Sequence, residues 1–288
     1  MQIIVNCLFL SSFYLSFAIG LTLIFGVMQV VNYAHGEIFM AGGYTLYLTA
    51  SLLHGLVPGA VVLAAAFVAA IAVGGALGLL IYFGLIKRLK DQPLSIFMAT
   101  LALSYVLQVV IIQIFGPMGR SIPVLIPGVI REAGIILPTQ RLAVLSITLL
   151  TILSLWFFLS KTDLGRAVRA VAQNSTGAVL QGVNLGRIAL ISVIIGSSLA
   201  AMSGVLMGSL LNINPFMGGE AIWRAFIVVI VGGIGSLPGA GLAAVLFGTL
   251  DTLLTSFGYG AYVALVDALI MIGILCFLPN GLLGGNER

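Results

Sequence analysis

The chain has 288 residues, of which 61% are hydrophobic and only 7% charged, against roughly 25% charged in an ordinary soluble domain. Twelve Lys+Arg and eight Asp+Glu are too few to cover a water-exposed surface of this size, so lipid is the solvent. At about 20 residues per spanning helix the apolar content allows eight or nine crossings. The fold class is therefore an all-α polytopic membrane protein, read as one transmembrane domain over residues 1–288. A β-barrel is excluded because its spans are short and alternate in polarity, whereas Val57 to Leu85 is one unbroken apolar block. The net charge of +4 is no argument for nucleic acid, because the cations fall between spans, where topology explains them. Thirty-six glycines imply helices that pack closely, break or line a path. Cys7 and Cys276 lie far apart in apolar stretches and read as small buried hydrophobes.

The first apolar block, Ile3 to Phe25, runs straight into further apolar sequence without a Lys or Arg, which is unlike a cleavable signal. The run VNYAHGEIFMAGG follows, with Asn32, Tyr33, His35, Gly36 and Glu37 set in apolar sequence. A carboxylate at membrane depth costs about 2.5 to 3.5 kcal/mol on insertion scales, so Glu37 is paired, neutral or facing water, and His35 is near enough in sequence to partner it. Either NYAHGE is a short interfacial loop, or a broken helix brings these groups to a central cavity and they line a translocation path. Ile38 to Leu53 is the second span, and His54 reads as an interfacial loop residue.

Val57 to Ile86 and Leu94 to Phe115 are the next spans, joined by a loop bearing Lys87, Arg88 and Lys90. Two spans further on lies a second basic group of Lys161, Arg166, Arg169 and Arg187, which puts both groups in the cytoplasm. Residues 116–141 are then external, although Arg120, Arg131 and Arg141 against Glu132 make the bias imperfect, and Pro117, Pro123, Pro127 and Pro138 predict an irregular lid. The side on which the N-terminus lies is not fixed by charge.

Leu142 to Leu159 is followed by a cytoplasmic segment, residues 161–186, that is longer than a turn needs. Thr162 to Leu180 predicts an amphipathic helix, capped by Thr162 or Asp163 and with Leu164, Ala167, Val168 and Val171 at helical spacing. It is either a solvated connector or a docking helix for a peripheral partner. Ile188 to Leu211 spans next, and Asn212, Asn214, Pro215 and Glu220 are expected to form a mouth, with Arg224 pairing Glu220 at i,i+4. Ala221 to Val231 is too short to cross and is expected to be a half-helix ending inside the membrane. The glycine-rich VGGIGSLPGAG then interrupts the apolar sequence, so Gly232, Gly233, Gly235 and Ser236 are candidate path residues. Ala240 to Ser256 and Ala261 to Leu278 close the chain and carry Asp251 and Asp267, each either a bundle-facing structural group or part of a proton relay.

Four landmarks carry a family resemblance. FGVMQVVNYAHGEIFMAGGY, TDLGRAVRAVAQNSTGAVLQGVN, GGIGSLPGA and LPNGLLG resemble, in order, segments of the permease subunits of branched-chain amino acid ABC importers, the LivH-like member of the pair. The ending departs at Leu278, where the family usually has Arg. The resemblance implies a bacterial inner-membrane machine: a second LivM-like permease subunit, two cytoplasmic ATPase subunits and a periplasmic substrate-binding protein. ATP and Mg are then bound by the partners, with no cofactor in this chain and no enzymatic chemistry of its own. Leu164, Gly165, Arg166 and Arg169 to Gly182, with Ala170, Ala178 and Leu180 among them, would dock an ATPase. The implied cargo is a branched-chain or other neutral amino acid, although similar permeases import urea or short amides. A secondary carrier using Glu37, Asp251 and Asp267 is the alternative outside the family. A membrane-embedded enzyme ranks last, since no Walker loop, zinc motif or catalytic triad is present.

Overall fold

In hydrocarbon an unpaired peptide group costs several kcal/mol, so each apolar run closes its hydrogen bonds internally as a helix. The protein, described by a computed structural model over residues 2–53, 55–90, 92–132 and 135–284, follows this rule throughout. His54 lies outside the described residues. Eleven α-helices occur among them: α1 Gln2–Met28, α2 His35–Leu53, α3 Gly59–Ile81, α4 Pro93–Phe115, α5 Thr139–Lys161, α6 Asp163–Gln173, α7 Ser175–Leu180, α8 Leu185–Gly208, α9 Met217–Gly232, α10 Leu237–Ser256 and α11 Val263–Phe277. A π-helical turn, Tyr82–Ile86, extends α3. Among the described residues seven helices are long and apolar enough to cross a membrane; α2 and α9 pack among them.

Six helices make the core: α1 packs on α8 and α10, while α2 and α3 pack on α8, and α9 wedges between α2 and α10. Helices α4, α5 and α11 surround them and bury few of their side chains. Small residues set the closest approaches. Gly20 of α1 and Gly196 of α8 face each other so tightly that a Cβ on either would stand 2.7 Å from the other's carbonyl oxygen, the close backbone contact that glycine permits.

By the positive-inside rule the basic turn after Ile86 and the α5–α8 connection are expected on the cytoplasmic side, and the fold brings the two to one end of the bundle. The Tyr82 hydroxyl donates to the Gly186 carbonyl at 2.9 Å, which puts the end of α3 beside the start of α8. The start of α1 lies at the end of the bundle that carries the hairpin, since the Ile136 amide donates to Gln2 Oε1 at 3.0 Å, whereas Gly26 near the other end of α1 lies against Ala172 of α6.

Two expectations change. The external segment is not irregular throughout, since strands β1 Val129–Glu132 and β2 Ile135–Pro138 form an antiparallel hairpin. The buried Gln140 side chain straps it to the bundle, accepting from the Leu125 amide at 3.0 Å and donating to the Ser209 carbonyl. Two external arginines are tied down individually: Arg141 donates to Asn6 Oδ1 at 3.1 Å, and Arg120 to the Phe115 carbonyl at 2.6 Å. These ties explain how external cations coexist with the topology. The cytoplasmic segment, expected as one helix, is two, because Asn174 adopts an extended conformation (φ −155°, ψ 97°) and caps α7 by accepting from the Gly177 amide at 2.8 Å.

Candidate functional site

Helix α1 ends at Met28, and residues 29–34 run back into the bundle before α2 begins. Gln29 makes the reversal with a positive φ of 53°, and Thr100 Oγ1 of α4 accepts from the Tyr33 amide at 3.1 Å. The His35 ring stacks on Phe17 at 5.2 Å. Phe17 stands eleven residues before Met28 in α1, about 17 Å along the helix, so His35 lies near the middle of a hydrocarbon core of about 30 Å. The run is buried inside the bundle, with residues 29–34 between α1 and α2 and His35 opening α2.

Asn32 and His35 are fully buried and Glu37 is 4% exposed. The expected His35–Glu37 partnership is not formed. Among the described residues both polar atoms of Asn32, both ring nitrogens of His35 and Glu37 Oε2 have no hydrogen-bond partner. An unsatisfied buried polar group costs about 1–3 kcal/mol, so three such side chains together at one depth are retained against stability. Helix α9 starts against the same place: a Cβ on Gly36 would collide with the Gly218 backbone, and one on Gly218 would lie 3.0 Å from Glu37 Oε2. Two helix N-termini, α2 and α9, therefore meet beside a carboxylate. Helix α9 has sixteen residues, about 24 Å, and it is its beginning, not its end, that lies against this interior cluster.

The glycine-rich stretch has different neighbours. Gly232 packs on Gly239, Gly233 on Asn280 and Gly284, and Gly235 on Gly26. The Val231 and Gly232 carbonyls accept from Leu282 and Leu283 at 2.7 and 3.1 Å, and Ser236 Oγ caps α10 by accepting from Gly239 at 3.1 Å. The loop is thus held by the LPNGLLG turn and the cytoplasmic end of α1, and the close contacts of Gly232, Gly233 and Gly235 are with these elements, not with Asn32, His35 or Glu37.

Arg224 does not pair Glu220. Its Nη1 lies 2.5 Å from Asp251 Oδ2 and 3.6 Å from Asp267 Oδ2, and it donates to the Tyr14 hydroxyl at 2.5 Å while Tyr14 donates to Asp251. One guanidinium thus ties α9 to α1, α10 and α11. The pairing needs residues far apart in sequence, and nothing in the local i,i+4 spacing reveals it.

On the cytoplasmic face Thr162 Oγ1 caps α6, accepting from Gly165 at 3.0 Å. Val168 and Val171 bury against Leu23 and Val27 of α1 and Leu155 and Leu159 of α5. Gly165 and Ala178 are buried too, whereas Leu164, Arg166, Arg169, Ala170, Leu180 and Gly182 are exposed. Arg166 pairs Asp163 on the surface, a contact worth about 0–1 kcal/mol. Leu180 is 81% exposed on a helix of six residues.

Comparison with known proteins places this architecture. Residues 3–275 match the family described as "Branched-chain amino acid transport system / permease component". The high-affinity branched-chain amino acid transport system permease protein LivH of Escherichia coli is 30% identical over 296 residues, covering 100% of this chain and 96% of its own. The corresponding permease protein BraD of Pseudomonas aeruginosa is 33% identical over 301 residues, with the same two coverages of 100% and 96%. The probable LivH permease of Methanocaldococcus jannaschii is 28% identical over 286 residues, 93% of this chain and 87% of its own. With its apolar spans and a family match over nearly its whole length, this chain is a multi-pass integral membrane protein of the bacterial inner membrane and belongs to the family of branched-chain amino acid transport permease components.

Proposed function

We propose that the chain is one permease subunit of an ATP-driven importer for branched-chain or other neutral amino acids. It supplies half of a translocation path through the Asn32–His35–Glu37 break and couples to a cytoplasmic ATPase through α6 and α7. The observation that carries this reading is the pair α6–α7. One face is fixed to α1 and α5, while the opposite side presents Leu164, Arg166, Arg169 and Leu180 to the cytoplasm. A bare connector does not need two capped helices with an 81% exposed leucine, and a self-sufficient carrier needs no such surface. Movement of a docked ATPase would pass through Val168 and Val171 into the Leu23–Met28 end of α1, the same end that leads into the break. The second permease, the two ATPases with their ATP and Mg, and the external binding protein complete the machine in this reading.

Binding Arg224 leaves Asp251 and Asp267 with a structural partner, which favours this reading over a carrier that uses them as ion sites. The test is co-purification from cells making the whole assembly. Arg166→Glu and Leu180→Asp are expected to release the ATPase subunits while the two permeases still travel together. Full retention of the ATPases in both variants would remove α6–α7 from the coupling role, and uptake by this chain alone in proteoliposomes driven by a proton gradient without ATP would end the importer reading.

A further inference from the structure

At the outer end of the bundle a half-open cavity of about 280 Å³ is lined by Tyr47, Ala50 and Ser51 of α2 and by Ser121, Ile122 and Pro123 of the external segment. It lies just below the roughly 300–1,000 Å³ of drug-sized pockets, the size class of one small solute. Arg120 precedes Ser121 and stands over the Tyr47 ring, 5.8 Å from its centroid. Its main chain exchanges two hydrogen bonds with Ile213, at 2.6 and 2.8 Å, so the guanidinium is carried on a fixed backbone. Among the described residues no carboxylate pairs with it. One guanidinium nitrogen donates to the Phe115 carbonyl at 2.6 Å; the other donors, unpaired with any described carboxylate, stand over Tyr47, which lines the cavity with the apolar Ala50, Ile122 and Pro123, an arrangement suited to a carboxylate with a small aliphatic body.

A second observation links this cavity to the membrane interior. Ser51, Tyr47, Tyr44, Met40 and Glu37 recur every three or four residues along α2 and so share one face. Tyr44 is 2% exposed and its hydroxyl has no partner among the described residues. Its ring stacks at 4.7 Å on Phe115, the residue whose carbonyl holds Arg120. The stripe descends fourteen residues, about 21 Å, from the cavity to the unpartnered oxygen of Glu37.

We infer that the cavity is an outer receiving site for a neutral α-amino acid. Arg120 holds the carboxylate, Ala50, Ile122 and Pro123 take the aliphatic side chain, and the α2 stripe leads onward to Glu37. The inference rests on the transport reading above and narrows its cargo, because urea offers Arg120 no carboxylate.

The probe is radiolabelled leucine bound at equilibrium to the purified permease–ATPase complex in nanodiscs without its binding protein, alongside uptake by the complete importer. Arg120→Gln is expected to weaken leucine binding about tenfold or more, the usual scale for a lost charge-assisted hydrogen bond. Ser51→Trp, which fills the cavity, should abolish binding, and leucinamide, lacking the carboxylate, should compete poorly with leucine on the unmodified complex. Unchanged leucine affinity in both variants, or equal competition by leucinamide, overturns the inference. So does an importer that takes up leucine normally while its permease–ATPase complex binds none, and in that case the transport reading stands. An importer that takes up urea or acetamide but no amino acid overturns the transport reading itself.

Discussion

Replacing Arg224 by Met removes the cation that pairs two buried carboxylates, and the geometry sets the size of the effect. At an effective dielectric constant near 20, unit charges at the observed 2.5 and 3.6 Å attract by about 7 and about 5 kcal/mol before desolvation. Burial of the charges and repulsion between the carboxylates offset most of this, yet breaking a buried pair by removing one partner costs about 3–5 kcal/mol. Asp251 and Asp267 keep only 3% and 4% of their side chains accessible, but Arg224 keeps 36%, so the expected loss is at the lower end, about 3 kcal/mol. Reversible unfolding in mixed detergent micelles, followed by circular dichroism, measures it. The triple variant Arg224→Met, Asp251→Asn, Asp267→Asn removes all three charges together and should recover most of the loss. A cost under about 1 kcal/mol for Arg224→Met, or no recovery in the triple variant, would refute the electrostatic account. Uptake retained by the triple variant would also exclude a proton relay through these two aspartates.

Glu37→Gln should insert and assemble normally yet lower substrate uptake about tenfold, the scale of one lost charge-assisted hydrogen bond; unchanged uptake in vesicles shows the charge to be dispensable. Gly42→Val puts side-chain atoms onto the Ala201 backbone and is expected to destabilise by about 1–3 kcal/mol or more, read in the same micelle titration. Asn174→Ala removes the α7 cap and should cost that helix about 1 kcal/mol, seen as hydrogen exchange about fivefold faster at residues 177–180 with α6 unchanged.

The sequence carried the helical architecture because hydrocarbon leaves an apolar run of this length little choice. The block Leu94 to Phe115 became α4 Pro93–Phe115, and Ala240 to Ser256 became α10 Leu237–Ser256. The starts of α8 and α10 moved outward by three residues, where Asn184 and Ser236 cap them, Asn184 accepting from the Arg187 amide at 3.0 Å. The break at Asn32–Glu37 was legible from polarity at membrane depth. What the groups meet there was not, since Phe17 and Gly218 are distant in sequence. The hairpin at Val129–Pro138 escaped notice because its strands have four residues each and prolines dominate the surrounding pattern. Gly232 to Ser236 were singled out for a backbone too irregular for helix. That property equally suits a loop whose carbonyls are bonded by a later segment, and only the packing distinguishes the two.

The turn that bonds the end of α9 has a consequence in time as well as in space. The Val231 and Gly232 carbonyls receive Leu282 and Leu283, some fifty residues later in the chain, so α9 leaves the ribosome with its final carbonyls open and acquires partners only when almost everything else has been synthesised. Until then these carbonyls must be satisfied by water or neighbouring lipid headgroups, and the helix has no fixed floor. Assembly of the bundle is thereby placed under the control of its last turn. A chain stopped ahead of Asn280 would present the cell with a full set of crossings and an unfinished centre, a species for membrane proteases to recognise and not a slightly shorter permease.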